Sequence, residues 1–343
     1  MVESGLGGYE FMSRNMKSMH LSAERILDKP IVYPGLDSTI GNNIQGPSAI
    51  RVPNWVNNKL GDFYLYFADH KGTYIRLAYA DQIEGPWTIY TSGSLQLEHS
   101  HFLVEKPEVT DDEVTSYLTQ RSKVSKRRLS HDAVTEMTTP HIASPDVHVD
   151  NDAKQIVMYF HGLESAGSQF SRVATSIDGI EFQAQPQLLG RTYMRVFTYG
   201  GATYALAMPG QLYRSTDGYH DFEAGPMLFN PDMRHSAVYV RDDTLWVFWT
   251  QVGDVPERIL FSTIRLRGNW EDWRESESIE LMRPEYAWEG ADAPLVESIR
   301  STAYGHVNQL RDPAILEEGD RLFLFYAVAG EEGIGLVEIK SLS

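Results

Sequence analysis

The stretch RDPAILEEGDRLFLFYAVAGEEGIGLVEI, residues 311–339, reads as three short strands joined by two turns. DPAIL (312–316), LFLFYAV (322–328) and GIGLVEI (333–339) are apolar, aromatic and β-branched runs of strand length, and the acidic, glycine-bearing segments between them are turn chemistry. Working outward, the middle run recurs as FYLYFAD (63–69), IVMYFHG (156–162), TYALAMP (203–209) and LWVFWTQ (245–251). Each copy is preceded by another strand-like run: GPSAI (46–50), SPDVHV (144–149), YMRVFTY (193–199) and HSAVYV (235–240). Each is followed by a third: YIRLAYA (74–80), SRVATSI (171–177), QLYRST (211–216) and RILFSTI (258–264).

Outer fourth strands follow in the first four copies, so the repeat predicts an all-β chain, a five-bladed β-propeller forming one domain over 1–343. Its blades span about 44–94, 140–189, 191–230, 233–282 and 308–340. The last blade runs out of chain after three strands. ERILDKPIVYP (24–34) is expected to supply its fourth and close the ring, hiding edges that would otherwise pair with other chains. Two insertions remain, about 95–139 and 283–310. Thr110 followed by Asp111, Asp112 and Glu113 predicts a helix start in the first.

Proline opens three of the inner strands, as Gly46-Pro47, Ser144-Pro145 and Asp312-Pro313, where no ladder hydrogen bond is owed. If strand one descends through the channel and strand two rises, the strand-two-to-three loops share a face with the inner-strand starts. That face gathers Asp69, His70, His161, Asp254, Glu257 and Glu331 with Arg195, His235 and Asp312, and both insertions wall it. Long loops in compact folds are often functional. The opposite face receives SIDGIEF (176–182) and STDGYHDF (215–222), whose Asp178 and Asp217 read as turn caps.

A net charge of −17 repels phosphate backbones and anionic headgroups, so neither nucleic acid nor membrane is an expected partner. The basic run KVSKRR (123–128) lacks interleaved aromatics and reads as a solvated loop. With no cysteine there is no disulfide framework, thiolate zinc site or thiol nucleophile. No apolar run approaches a membrane span, and the N-terminal stretch lacks a signal peptide's apolar core, which points to the cytoplasm. HExxH, Walker, dinucleotide and GxSxG signatures are absent.

FYLYFADHKGTYIRLAYADQIEGPW (63–87), with its Gly-Pro-Trp ending, and RDPAILEEGDRLFLFYAVAGEEGIGLVEI (311–339) resemble the first and last blades of the five-bladed glycoside hydrolase clan, families 43, 32 and 117. The likeness covers roughly 40–340 and implies a carbohydrate substrate. Family 43 places an Asp base, an orienting Asp and a Glu acid on the inner strands of blades one, two and three. Here those positions hold Gly46, Ser144 and Arg195, and only blade five keeps an Asp-Pro pair, Asp312-Pro313. The resemblance requires no cofactor and admits a channel calcium. No metal ligands are assigned.

Glycoside hydrolysis usually needs two carboxyls, one holding a proton. The candidates are Asp146 on blade two and Glu289 in YAWEGADAPL (286–295), where Trp288 would desolvate the acid. Asp146 has a structural alternative as a cap at the blade starts, and Asp312 as an ion-pair partner of Arg311. Arg195, Arg234 and Arg311, with His141, His161, His235, Asp69, Asp312, Trp288 and Tyr193, are candidate sugar contacts, and the arginines suit an anionic, uronate-type sugar or else internal carboxylates. Three readings follow: a glycan hydrolase; a lyase in which His70 or Tyr193 removes the proton α to a carboxylate; or a saccharide-binding propeller without turnover.

Overall fold

The computed structural model describes residues 20–124 and 129–342; most of the basic run 123–128 and the N-terminal stretch read above lie outside the described residues. Blade one is β2 (Gln45–Arg51), β3 (Phe63–Ala68), β4 (Tyr74–Ala80) and β5 (Thr88–Gln96). Blade two is β6 (Ile142–Asp150), β7 (Gln155–Ser165), β8 (Ser168–Ser176) and β9 (Gln183–Ala184). Blade three is β10 (Arg195–Tyr199), β11 (Ala202–Ala207), β12 (Gln211–Ser215) and β13 (Glu223–Met227). Blade four is β14 (Met233–Arg241), β15 (Thr244–Gln251), β16 (Ile259–Arg265) and β17 (Ile279–Met282). β18 (Arg311–Glu318), β19 (Arg321–Ala327) and β20 (Ile334–Leu342) form blade five, to which β1 (His20–Arg25) adds the outer strand. The chain is thus a five-bladed β-propeller.

The closing strand lies further toward the N-terminus than the sequence predicts. β1 pairs antiparallel with β20 from His20↔Leu342 to Arg25↔Val337, so the predicted segment 24–34 shares only Glu24 and Arg25 with that ladder and beyond them touches β20 near Val32, through an isolated bridge to Ile334. Pro30 and Pro34 lack the N–H groups a continuous ladder needs, so the pairing stops before them.

Apolar faces of neighbouring blades meet in separate seams. Tyr64, Tyr66 and Leu77 of blade one pack against Ile156, Met158 and Phe160 of blade two. Phe323 and Phe325 of blade five pack against Phe63, Leu65 and Phe67, so the seam across the ring closure is as apolar as the others. Period-two burial explains this: alternate residues of a middle strand face the blades on either side.

The inner strands begin with a local irregularity that matters for the site. Register shifts fall at Gln45/Ser48, Ala143/Asp146, Met233/Ser236 and Arg311/Ala314. Three of these bulges hold a left-handed residue just before the proline, Gly46 at φ +63°, Ser144 at +55° and Asp312 at +49°. Such a bulge re-aims a side chain at the end of the channel. Only Gly is free of strain there, and a Cβ at Gly46 would meet the Ser144 Cα at 3.2 Å.

The first insertion holds α1 (Asp111–Val124), opened by the Thr110–Glu113 pair, and α2 (Ala133–Thr138), capped by Asp132. No helix among the described residues is long and apolar enough to cross a membrane. On the far face, the Asp178 carboxylate accepts from the N–H groups of Ile180 and Glu181, and that of Asp217 from Tyr219 and His220; both are turn caps.

Candidate functional site

A basin of about 150 Å³ sits at the mouth where the inner strands begin. Gln45, Ser144, Tyr193, Arg234 and His235 from the blade starts form its floor, and His70, Lys71 and His161 from the strand-two-to-three side of blades one and two form one wall. Tyr117, Arg121 and Glu136 from the first insertion and Arg300 and Ser301 from the second complete it. Both insertions therefore wall the mouth. They are tied together there: Ser301 Oγ donates to Glu136 Oε1 at 2.5 Å, and His131 Nε2 lies 2.5 Å from the Tyr304 hydroxyl.

Beneath the floor is a dry network of charges. Asp312 is fully buried, and its Oδ1 accepts from the Tyr193 hydroxyl and from His235 Nδ1, the latter at 2.8 Å. Arg234 Nε donates to His235 Nε2 at 3.1 Å, which leaves the ring proton on Nδ1 facing Asp312. Burial, with the positive Arg234 beside it, lowers the His235 pKa to about 4, so the imidazole is neutral. Asp312 stays ionised: burial would raise its pKa, but His235 and the Tyr193 hydroxyl outweigh burial and lower it. Tyr193 stacks on His235 with centroids 4.4 Å apart, and burial beside Asp312 raises its phenol well above the usual range, so it stays protonated.

The arginines are engaged with the protein itself. Arg234 donates to the carbonyls of Ile299 and Ser301 and pairs with Glu257 at 3.3 Å. Arg311 pairs with Glu331 at 2.7 Å and donates to Gln309. Arg195 donates to the carbonyls of Ser236 and Pro145 and lies 3.4 Å from Asp146. Buried guanidinium groups need such partners, since an unpaired charge there costs several kcal/mol.

His70 is the basin histidine with a solvent path, at 22% side-chain exposure. Its backbone N–H donates to Asn43 Oδ1, and its Nδ1 stands 3.3 Å from Glu331 Oε1. Burial would raise the Glu331 pKa, but His70, Arg311 and Asn43 more than offset it, so Glu331 is an acceptor. In the neutral tautomer that donates Nδ1–H to Glu331, the lone pair of His70 is on Nε2. His161 is buried and neutral, its pKa held far down by burial and by neighbouring His141, His70 and Lys71, and its Nδ1 has no hydrogen-bond partner. Glu136 is held at about 2 because Lys71, Ser301 and His131 outweigh its burial.

Of the residues singled out in the sequence, His70, His161, Tyr193, Arg234 and His235 come together in the basin. Others lie elsewhere. Glu289, expected to face Asp146 across a gap, is buried at the ring closure: Arg25 Nε donates to it at 2.8 Å, Tyr326 at 2.7 Å, and the N–H groups of Glu285 and Tyr286 complete its shell. Trp288 packs with that insertion against the seam of blades four and five. Asp146 lines the far half of the channel, its Oδ2 accepting from the Val196 N–H at 2.7 Å and facing His148 Nε2 at 2.8 Å, and Arg195 stands beside it. His141 sits behind His161, its Nδ1 on the Thr139 carbonyl. Asp69 turns back to accept from the Lys71 N–H. Arg311 and Asp312 are under the floor rather than in it. Among the described residues no three His, Cys, Asp or Glu side chains converge as metal ligands, and the positive field of Arg234 and Arg311 reaches Asp312. Lys71, Arg121, Glu136 and Arg300 went unselected by sequence reasoning. Their signal was position alone, beside His70 or inside insertions already placed at the mouth.

The chain matches no protein-family model. Among solved structures it is similar to a glycosyl hydrolase from Bacteroides ovatus (TM-score 0.58, 12% identity, 92% of this chain and 93% of that one). It is also similar to the GH43_1 enzyme from Xanthomonas citri (TM-score 0.53, 12% identity, 92% of each chain). At that identity the likeness is one of fold. In sequence, it is 32% identical over 318 residues, 85% of this chain and 82% of the other, to the "Uncharacterized protein R118" of Acanthamoeba polyphaga mimivirus. On that likeness the chain belongs to the same protein family as the mimivirus protein, one built here on the five-bladed propeller fold shared with family 43 glycoside hydrolases.

Proposed function

We propose that the protein is a glycan-active enzyme that takes an acidic, uronate-type sugar in the mouth basin and cleaves the chain by elimination. The observation that carries this reading is the composition of the basin: Lys71, Arg121 and Arg300 line it with a single carboxylate, Glu136, which Lys71 meets at 3.2 Å, and Arg234 in its floor is paired with the buried Glu257. Hydrolysis by paired carboxyls needs one that holds a proton near neutrality, and Glu136, at about 2, does not. Elimination instead needs cations against the sugar carboxylate and a base at the carbon α to it.

His70 is the base in this reading. Its Nε2 takes the α-proton, the electron pair forms the carbon–carbon double bond, and the β carbon–oxygen bond breaks. The departing oxygen takes the proton His70 has received. Glu331 holds the ring and stabilises the imidazolium formed in passing. Lys71 stands beside it in the chain and Arg300 across the basin, placed to lower the cost of negative charge on the carboxylate.

Hydrolysis is the second reading, because the solved structures sharing this fold are glycoside hydrolases. Incubation with a panel of uronate-containing polysaccharides separates them. An ultraviolet-absorbing unsaturated product rising with new reducing ends supports elimination. Reducing ends alone support hydrolysis, and binding without either makes this a saccharide-binding propeller.

A further inference from the structure

The basin lining divides into two chemistries. Its charged groups, Lys71, Arg121, Glu136 and Arg300, come from the loop after β3 and from the two insertions. The propeller itself contributes uncharged polar groups, Ser144 and Tyr193 at the blade starts and His161 on β7, beside an Arg234 already paired with Glu257. His161 is the one of these that the protein does not engage. It is 7% exposed, it lines the basin, and its Nδ1 has no hydrogen-bond partner among the described residues. Rings flank it, Tyr193 at 5.6 Å and His141 at 6.1 Å between centroids. Burial first, and then His141, His70 and Lys71, hold its pKa far down, so the imidazole carries one hydrogen and one lone pair. A buried polar group without a partner is destabilising, and native folds keep few of them.

Ser144 is a second such group. It follows Ala143, the ladder partner of His161, and sits in the bulge of β6 at φ +55°. The matching position of blade one is Gly46, which holds the same left-handed backbone without strain. Blade two keeps a hydroxyl there instead. Ser144 is 2% exposed, and its Oγ faces the Tyr193 hydroxyl, which gives its own hydrogen to Asp312, without a partner in hydrogen-bond geometry.

We infer that His161 and Ser144 read a ring hydroxyl of the bound sugar unit, so that the basin selects its substrate by where that unit carries a free hydroxyl as well as by its acid group. This rests on the basin's being the glycan site. A hydroxyl is the ligand that fits, because it donates and accepts at once, as a neutral imidazole and a serine do, whereas a carboxylate only accepts and an ammonium only donates. The sugar is then held in one orientation, its acid group toward the insertions and a hydroxyl toward β6 and β7.

The test is calorimetric binding of the methyl glycosides of galacturonate and glucuronate, of the derivatives of each that lack the hydroxyl on the second or third ring carbon, and of uncharged methyl galactoside. The proteins are the full chain, Ser144→Gly and His161→Phe. Glycine accepts the backbone angles of Ser144, so that change removes the hydroxyl alone, and phenylalanine keeps a ring among the rings around His161. One deoxy derivative should bind the unchanged chain about tenfold or more weakly than its parent, because a site built around a hydroxyl is left with unpaired polar atoms when the hydroxyl is missing. In the variants the parent should fall toward the deoxy derivative, so that their affinity ratio collapses toward one. A collapse in either variant assigns the hydroxyl to the residue removed. Salt should weaken parent and deoxy derivative alike and leave the ratio in place, since the contact joins uncharged groups. Deoxy derivatives that all bind the unchanged chain as well as their parents overturn the hydroxyl site whatever the variants do, and so does a ratio that persists in both variants; either result leaves the basin reading standing. If no acidic glycoside binds, or methyl galactoside binds as well as the acidic ones, both readings fall.

Discussion

The two halves of the central channel are built by the same five inner strands and differ in almost everything else. The far half is the roomier, about 420 Å³ against about 150 Å³ at the mouth, and its lining mixes Ile50, Val147, Val196, Val238 and Ile315 with Asp146, His148 and Arg195, which are spent on one another. It is built from the inner strands alone, with no insertion reaching it. The mouth is small because bulges at the blade starts and two insertions crowd it with His70, Lys71, Glu136, His161, Arg234 and Arg300. Volume is therefore a poor guide here: the convergent polar groups and the two insertions make the mouth the candidate site.

The sharpest way to break this contrast is to exchange one residue from each half. His70→Gln should lower turnover on an acidic glycan about 10³-fold, within the range of general acid–base catalysis, while ligand affinity stays within a few-fold. Asp146→Asn, in the far half, should leave turnover per folded molecule within a few-fold and show its effect in stability, because its carboxylate serves the Val196 N–H, His148 and Arg195. Paired kcat and Kd measurements, with urea unfolding, decide it. Large losses of turnover from Asp146→Asn and not from His70→Gln would move the chemistry down the channel.

The next effect separates mouth from ring closure. Glu289→Gln should cost about 3 kcal/mol of stability, the scale for breaking one partner of a buried ion pair, because Arg25 is left buried beside an amide. Turnover of the protein that remains folded should be unchanged, as Glu289 touches Arg25, Tyr326 and backbone rather than the basin. Urea midpoints and specific activity corrected for folded fraction are the measurements.

The smallest effect is one ring's share of a pH slope that belongs to the mouth half. His235 and His141 titrate at about 4 and about 3, and His161 well below the ordinary value, all because burial disfavours the imidazolium. The unfolded chain binds protons on these rings from about pH 6.5 downward, before the folded chain does. Their contribution to stability is therefore full above pH 6.5 and lost as pH falls toward the folded values, at about 1.4 kcal/mol per pH unit for each ring. Unfolding free energy measured between pH 7 and pH 5 should fall, and His161→Phe should flatten the slope by about one ring's share.

The propeller was legible because its signals are local. Turn glycines, β-branched and aromatic runs and prolines at the blade starts lie within a few residues of each other, and the observed inner strands begin within two residues of the expected 46, 144, 193, 235 and 312. Which loops and insertions share the mouth was legible too, since strand direction settles which loops lie on one face. The Arg25–Glu289 pair was not: the partners are 264 residues apart and meet only when β1 closes the ring. Nor could residue type tell that Arg195, Arg234 and Arg311 spend their donors on carbonyls, Gln309 and buried carboxylates, for a guanidinium suits a sugar acid and a protein acid equally well. The sequence by itself determined the number of blades, their order and the face on which both insertions meet the blade starts, because strand period and turn chemistry act over short stretches of chain. Which charged side chains reach the basin, and which are consumed in holding it, was decided only by the tertiary structure, because that depends on groups from all five blades arriving within about 3 Å of one another.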